Sequence, residues 1–408
     1  MTMVNLGVIG LGRAFVSTAP AILSHPAIRL VGVADPRQEA RDKAGAELGV
    51  RAFEDAEALC RDPNVAAVYV ASPHQLHADH VELCAKHGKH VLVEKPMALS
   101  LGECDRMINA VERAGVALVV GPTHSFDRPV RAARDLIRGG RLGLLRMISG
   151  WAFTDFLYRP RRPEELDTTQ GGGVLFNQAP HHIDVVRLLA GGRMRSVRSI
   201  SAVWDSRRPT EGAYSALLEF EAGVAATLVY NGHGHFDTDE FNGWVGESGQ
   251  SKSPDDHGAA RRLLARHDPL EEARLKGATG YGGTLARPLQ PGGAAESAGH
   301  PHFGLLIASC DHGDIRLAPE GLAVYGDTAV EKIEIPRDLD PSGRGAVLDE
   351  LVQAIATGQA QLHDGRWGKA TLEVCLAMLE SSRVRRDVPL HYQCAANEPL
   401  SIATAAGG

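Results

Sequence analysis

A chain of 408 residues is longer than one ordinary core needs and points to two domains. Its 43 basic and 50 acidic side chains leave a net charge of -7 with no basic block or basic-aromatic stripe, which excludes general nucleic-acid binding and favours a small partner. No apolar run reaches the roughly 18 to 20 residues of a membrane span, and the start MTMVNLGVIGLGRAF lacks the basic stretch and small-residue cleavage site of a secretion signal. A cytoplasmic protein with no membrane partner is therefore expected. The six cysteines lie far apart with no C-x-x-C pair, so they read as reduced thiols and no metal site is expected from them.

Up to about residue 122, strand and helix patterns alternate. Short apolar, β-branched runs stopped by Gly, Asp, Ser or Pro (NLGVIG, IRLVGVAD, AAVYVAS, KHVLVEK, VALVVG) alternate with helical segments ending in glycine (QEARDKAGAELG, QLHADHVELCAKHG, LGECDRMINAVERAG). Such alternation means a doubly wound parallel sheet in a first domain, residues 1–122. From 123 to 408 the strands LLRMISGWAFTDF, VRSISAVWD, YSALLEFE and VAATLVYNG follow one another with one long helix, which predicts an α/β domain with a large open, mostly antiparallel sheet. Residues 238–301, rich in Gly, Ser, Pro and charge and weakly periodic, are expected to be a flexible insertion or lid. Strand signals return at FGLLIASC and LAVYGD, and a helix around GKATLEVCLAMLESSRVRR closes the fold.

The cofactor signal lies at the start. In GVIGLGRAF, Gly10 and Gly12 hold the first two positions of G-x-G-x-x-G, between a strand and a helix start formed by Arg13, Ala14 and Phe15, where backbone can approach a pyrophosphate. Phe15 departs from the pattern, which asks for Gly or Ala there. Asp35 ends the second strand, where a carboxylate accepts ribose hydroxyls and favours NAD; Arg37 leaves NADP open because it can meet a 2′-phosphate. In HVLVEKPMALS, Lys95 follows Glu94 at the carboxyl end of a strand and points to the ligand crevice. In GGGVLFNQAPHHIDVVRLLAGG, Asn177, His181 and Asp184 are spaced by four and three around a helix start, so they are expected to converge on one ligand. Arg159, Arg161 and Arg162, in a proline-bounded loop before the glycine run, read equally as a carboxylate grip or as a solvated basic loop or subunit contact.

Together GVIGLGR, EKP, ASPHQLHA and the glycine run with its helix resemble the Gfo/Idh/MocA oxidoreductases over nearly the whole chain. The resemblance implies an N-terminal Rossmann domain and a C-terminal domain whose open sheet carries substrate and often a subunit contact, hence a homodimer or homotetramer. It implies that Lys95 is catalytic and that the family's D-x-x-x-H pair falls on Asn177 and His181, with Asp replaced by Asn. It also implies that Ser72, Pro73, His74 and His77 lie on the nicotinamide side of the cofactor and His124 near the substrate. DFLYRPRRPEELDTTQ and HFGLLIASCDHGDIRLAPEGLAVYGD are similar to the branch that dehydrogenates phthalate cis-dihydrodiols with NAD(P).

In that reading a neutral Lys95 accepts a hydroxyl proton, His181 holds the same oxygen or relays the proton, and Asn177 orients His181 or a second hydroxyl. Asn177 would avoid the repulsion, about 4 kcal/mol per close pair at an effective dielectric near 20, between a carboxylate and an anionic substrate. A sugar or inositol dehydrogenase, a non-catalytic NAD-sensing regulator and an NAD-dependent glycosidase are the competing readings. His233, His235, His300 and His302 are expected to make loop or substrate contacts rather than bind metal.

Overall fold

The computed structural model describes residues 3–286, 288–289, 298–337, 343–358 and 362–396. The first unit runs β1 (Val4–Ile9), α1 (Arg13–Ser24), β2 (Ile28–Ala34), α2 (Gln38–Leu48), β3 (Arg51–Phe53), α3 (Ala56–Arg61), β4 (Ala67–Val70), α4 (His77–Lys86), β5 (His90–Val93), α5 (Leu101–Ala114) and β6 (Leu118–Val120). Its strands are all parallel in the order β3-β2-β1-β4-β5-β6. The order reverses direction between β1 and β4, and the crevice beyond the carboxyl ends of those strands is where such sheets bind ligands. β3, three residues long, is too short to show a strand period in the sequence.

The second unit contains α6 (Arg128–Arg138), β7 (Leu145–Phe153), α7 (Gly173–Asn177), α8 (Ala179–Leu189), β8 (Met194–Ala202), β9 (Ala213–Phe220) and β10 (Ala225–Asn231). It continues with α9 (Ala259–Leu264), α10 (Pro269–Ala278), β11 (Leu305–Cys310), β12 (Gly313–Ala318), β13 (Gly321–Tyr325), β14 (Val330–Glu334), α11 (Gly345–Thr357), α12 (Gly365–Val384) and β15 (Val388–Pro389). The sheet order is β14-β13-β12-β11-β7-β10-β9-β8-β15; β7 and β10 pair in parallel and the other neighbours antiparallel. β9 alternates buried and exposed residues, the period of a sheet with one covered face. Helices α6, α8 and α12 cover that face, while Met147, Trp151, Ile200 and Leu217 stand exposed.

Two helices from the C-terminal part tie the units together: α11 packs on β5, β6 and α1, and α12 touches α5 and β6 on one side and β8 and α8 on the other. Within residues 238–301, α9, α10 and short helical turns form a packed segment, and Tyr281 is buried against Phe15 in the first core. Residues 287 and 290–297 of that stretch lie outside the described residues. Among the described residues no helix is long and apolar enough to cross a membrane.

Candidate active site

The cofactor crevice begins at the turn after β1. Gly10 has φ +95°, and a Cβ there would lie 2.7 Å from the carbonyl oxygen of Ala71, so only glycine fits. Gly12 precedes α1 with no side-chain cap, and a Cβ built on it meets nothing within 4 Å. This is an open helix N-terminus of the kind that holds a pyrophosphate, so the residues fit a dinucleotide. Arg13 and Ala14 open α1 beside it. Phe15, the departure from the glycine pattern, is buried edge-on to Tyr281 at 5.5 Å between ring centres, so the ring that replaces the third glycine is packed by the later insertion.

Asp35 sits at the end of β2, nearly buried, and accepts from the backbone of Leu11 (2.7 Å) and Arg37 (2.9 Å) and from the Arg37 side chain at 2.9 and 3.0 Å. Burial pushes its carboxyl up, but the Arg37 and Leu11 hydrogen bonds outweigh it and hold the group below the ordinary carboxylate value.

On the other side of the crevice, Ser72 Oγ meets His80 Nδ1 (2.9 Å), and Pro73 leads into the turn at His74. His77, expected beside the cofactor, is wholly buried instead, its two ring nitrogens 3.0 Å from the carbonyl oxygens of Pro96 and Ser72. It braces the Glu-Lys-Pro turn and leaves the neighbouring His74, whose ring lies 5.6 Å away, nearer the glycine run at Gly171. Glu94 is also buried and accepts from Tyr69 (2.5 Å), with Arg344 at 3.8 Å, so it charges the wall of the site rather than facing a ligand openly.

Lys95 Nζ donates to the main-chain carbonyl of Asn177 (2.9 Å), which brings the Glu-Lys-Pro turn onto the junction of α7 and α8. Burial pulls the Lys95 amine below its ordinary value, against the opposing pull of Glu94 and Glu247. Asn177 turns its side chain away from the reacting side: its amide nitrogen donates to the carbonyls of Gly171 (3.1 Å) and Gly173 (2.8 Å). The expected convergence of Asn177, His181 and Asp184 side chains therefore does not occur.

α8 is buried on every side, so its residues diverge toward different neighbours. His181 faces the site, its Nδ1 buried and unpartnered among the described residues, and burial together with Lys95 and His124 keeps it neutral. His182 points the other way, toward Tyr214 (3.1 Å). A Cβ on Gly150 of β7 would lie 2.2 Å from its ring, which explains a glycine inside a strand.

Asp184, expected to bind substrate, is a structural hub. It accepts from Ser125 (2.6 Å), Thr371 (3.0 Å), Thr123 and the Trp367 indole, locking α8 to α12 and to the 123–125 turn. It lines a cavity of about 20 Å³ that Lys95 also borders, large enough for about one water.

His124, which the family resemblance placed near the substrate, stands beside His181. Its Nδ1 donates to Asp127 (2.6 Å) while its Nε2 lies 3.6 Å from Glu247, and its ring is 4.8 Å from that of His181. Burial opposes protonation of His124, but Asp127 and Glu247 overcome it and raise the ring to about 9; His124 in turn helps hold Glu247 at about 2 despite burial, with Arg159 and Lys95. Ligand atoms of His124, His181 and Glu247 lie within 4.8 Å of one another, so the three could ligate a metal ion, a cluster the sequence reading did not foresee. Lys95, Arg159 and Arg344 act on the same groups with positive charge, which weakens the site for a divalent cation.

Of the two arginines expected to bind substrate, Arg159 is one-third exposed, pairs with Asp155 (3.1 Å) and acts on Glu247 and on Tyr230. Arg161 is corrected to a structural brace: it is buried over the Phe156 ring (3.7 Å), its backbone donates to Glu272 (2.7 Å), and its guanidinium donates to the Phe156 carbonyl (2.7 Å) and Glu165. A larger cavity of about 480 Å³ beside Arg161 and Glu272 lacks both Lys95 and His181. The paired histidines are dispersed: His300 binds the Ile335 carbonyl and His302 that of Val245, and His233 stacks on Trp204.

Residues 4–122 match the family described as oxidoreductase family, NAD-binding Rossmann fold, and residues 130–245 match the GFO/IDH/MocA C-terminal domain. The chain belongs to the Gfo/Idh/MocA oxidoreductases. This family member is 42% identical over 386 residues, 93% of this chain and 95% of the relative, to 1-carboxy-3-chloro-3,4-dihydroxycyclohexa-1,5-diene dehydrogenase of Comamonas testosteroni. It is 33% identical to the myo-inositol 2-dehydrogenase of Thermotoga maritima, over 47% of this chain and 57% of that one. A solved structure from Bordetella bronchiseptica RB50 superposes with a TM-score of 0.89 at 43% identity, covering 95% of this chain and all of that one. The oxidoreductase is thus NAD-dependent, with a Rossmann domain that binds NAD and a mixed-sheet second domain.

Proposed function

We propose that this oxidoreductase dehydrogenates a ring-borne cis-dihydrodiol that carries a carboxylate. The observation that carries the reading is the placement of Lys95 and His181, both pushed toward neutrality by burial, around the Asn177 junction, with the charge of Arg159 felt at neighbouring Glu247. The high identity to a relative named for a carboxylated dihydroxycyclohexadiene supports the substrate class. A bound NAD, held at Gly10, Gly12 and Asp35, supplies the hydride acceptor. Lys95 accepts the carbinol proton at Nζ, since a buried amine is a neutral base at lower pH than a solvated one. His181 holds the carbinol oxygen through its neutral imidazole. Asn177 keeps the glycine loop and, through its carbonyl, the Lys95 amine in place. Arg159 grips the substrate carboxylate as a guanidinium fork. Whether the ring bears one carboxylate or the phthalate pair is read by comparing the two dihydrodiols.

The test is Arg159→Ala assayed on a carboxylated and an uncharged cis-dihydrodiol. KM should rise tenfold or more for the first and little for the second, because a charged hydrogen bond is worth about 1.5–3 kcal/mol. Equal effects would remove Arg159 from substrate recognition. We further propose a homo-oligomer joined through the exposed sheet face, with a cytoplasmic location suited to free thiols and an NAD supply.

A further inference from the structure

The D-x-x-x-H pattern that the family resemblance implies falls on Asn177 and His181, and here the Asn177 amide is spent on two glycine carbonyls. A carboxylate nevertheless reaches His181 from a different part of the chain. Glu247, in the WVGESGQ loop, lies within 4.8 Å of the ring nitrogens of His181 and His124 and acts electrostatically on Lys95. Its side chain is one-third exposed, so it is open to a ligand. The loop is pinned: Gly246 donates to Gln250 (2.7 Å), Lys252 donates to Trp244 (2.8 Å), and the His302 backbone donates to Glu247 (3.1 Å).

We propose that Glu247 is the specificity-determining residue for the second hydroxyl of the diol, accepting its hydrogen bond while Lys95 and His181 hold the hydroxyl that is oxidised. The carboxylate accepts only, and its neighbour on one side is His124, already donating to Asp127 at its far nitrogen. A ring nitrogen of His181 lies within 4.8 Å of this carboxylate, and a vicinal diol offers two donors at the spacing of two adjacent carbons. A single alcohol would leave an ionised, half-covered carboxylate without that donor, and such a loss discriminates strongly. His124 is a positioning residue: its Asp127 contact fixes the ring, and its Nε2 stands 3.6 Å from the Glu247 carboxylate. The assignment rests on the dehydrogenase reading above, so its test includes an arm that needs no turnover.

The NADH-loaded protein is titrated by calorimetry with 3,4-dihydroxybenzoate and with 3-hydroxybenzoate, as wild type, Glu247→Gln and Glu247→Asp. Wild type should bind the dihydroxy ring at least tenfold more tightly. Glu247→Gln should bring the ratio within about threefold, with NADH affinity unchanged, and Glu247→Asp should keep part of the preference. Absence of preference in wild type, equal weakening of both ligands in Glu247→Gln, or a stoichiometric metal in the purified protein bound through Glu247 would overturn the assignment. If Glu247→Gln does not fold, the Glu247→Asp ratio decides in its place, an unchanged ratio with weakened affinity for both rings counting against the proposal. A wild-type preference removed by Glu247→Gln, in a protein that oxidises no dihydrodiol, would sink the dehydrogenase reading and leave Glu247 as a diol-binding group.

Discussion

Replacing Asn177 by Asp tests what this residue does, and the structure changes the answer expected from the sequence. The asparagine amide donates two hydrogen bonds, to Gly171 at 3.1 Å and to Gly173 at 2.8 Å. An ionised Asp cannot donate, so both bonds are lost, about 1 kcal/mol each, and two carbonyls face a carboxylate instead of an amide. Adding about 1 kcal/mol of uncompensated desolvation gives a destabilisation of roughly 2–4 kcal/mol. Urea unfolding measures it. Because a protonated Asp regains one donor, the deficit should shrink as pH falls below the variant's own raised carboxyl pKa. Activity should fall by a similar factor on charged and uncharged dihydrodiols, since the damage is to the loop that holds the Lys95 amine. A stable variant whose KM rises only for the carboxylated substrate would refute the bracing role and restore an electrostatic one.

Lys95→Met should lower kcat by about a hundredfold or more with NAD binding retained, as fluorescence titration and steady-state rates will show. kcat/KM should rise with pH along a limb set by Lys95, below the ordinary lysine range; Glu94→Gln, which removes a charge that opposes deprotonation, should move that limb to lower pH. Asp35→Ser frees Arg37 from its carboxylate partner and should raise the NADP-to-NAD efficiency ratio by about tenfold or more, measured with both cofactors. Leu217→Glu, on the exposed sheet face, should reduce the oligomer mass in light scattering without loss of helix content; an unchanged mass would argue against that face as the contact.

The parallel sheet was legible because each of its longer strands is a short apolar run closed by a turn residue, and Gly10 and Asp35 then followed from position along it. Lys95 was singled out by its place just past the carboxyl end of β5 and His181 by its place in the first turn of α8. Asp184 misled because spacing along a helix predicts a shared face only when another face is solvated; α8 is buried all round, so three and four residues separate different neighbours. His77 and Arg161 misled because a polar side chain near a crevice can be consumed by backbone carbonyls, as both are. Glu247 left no trace in the sequence, lying in a glycine-rich loop whose path is set by contacts far along the chain, including its backbone bond to His302. Its presence also weakens the case for an anionic substrate built on Asn177: the charge absent at 177 is supplied at 247, and Arg159 now carries that argument.

The most direct test of the account is NADH formation by the purified protein on a panel comprising a carboxylated cis-dihydrodiol of benzoate, its phthalate counterpart, myo-inositol and simple sugars. The account predicts a kcat/KM for at least one carboxylated dihydrodiol that exceeds those of inositol and sugars by two orders of magnitude or more, abolished in Lys95→Met. Comparable turnover of inositol or a sugar, or NADH formation that survives Lys95→Met, would contradict it.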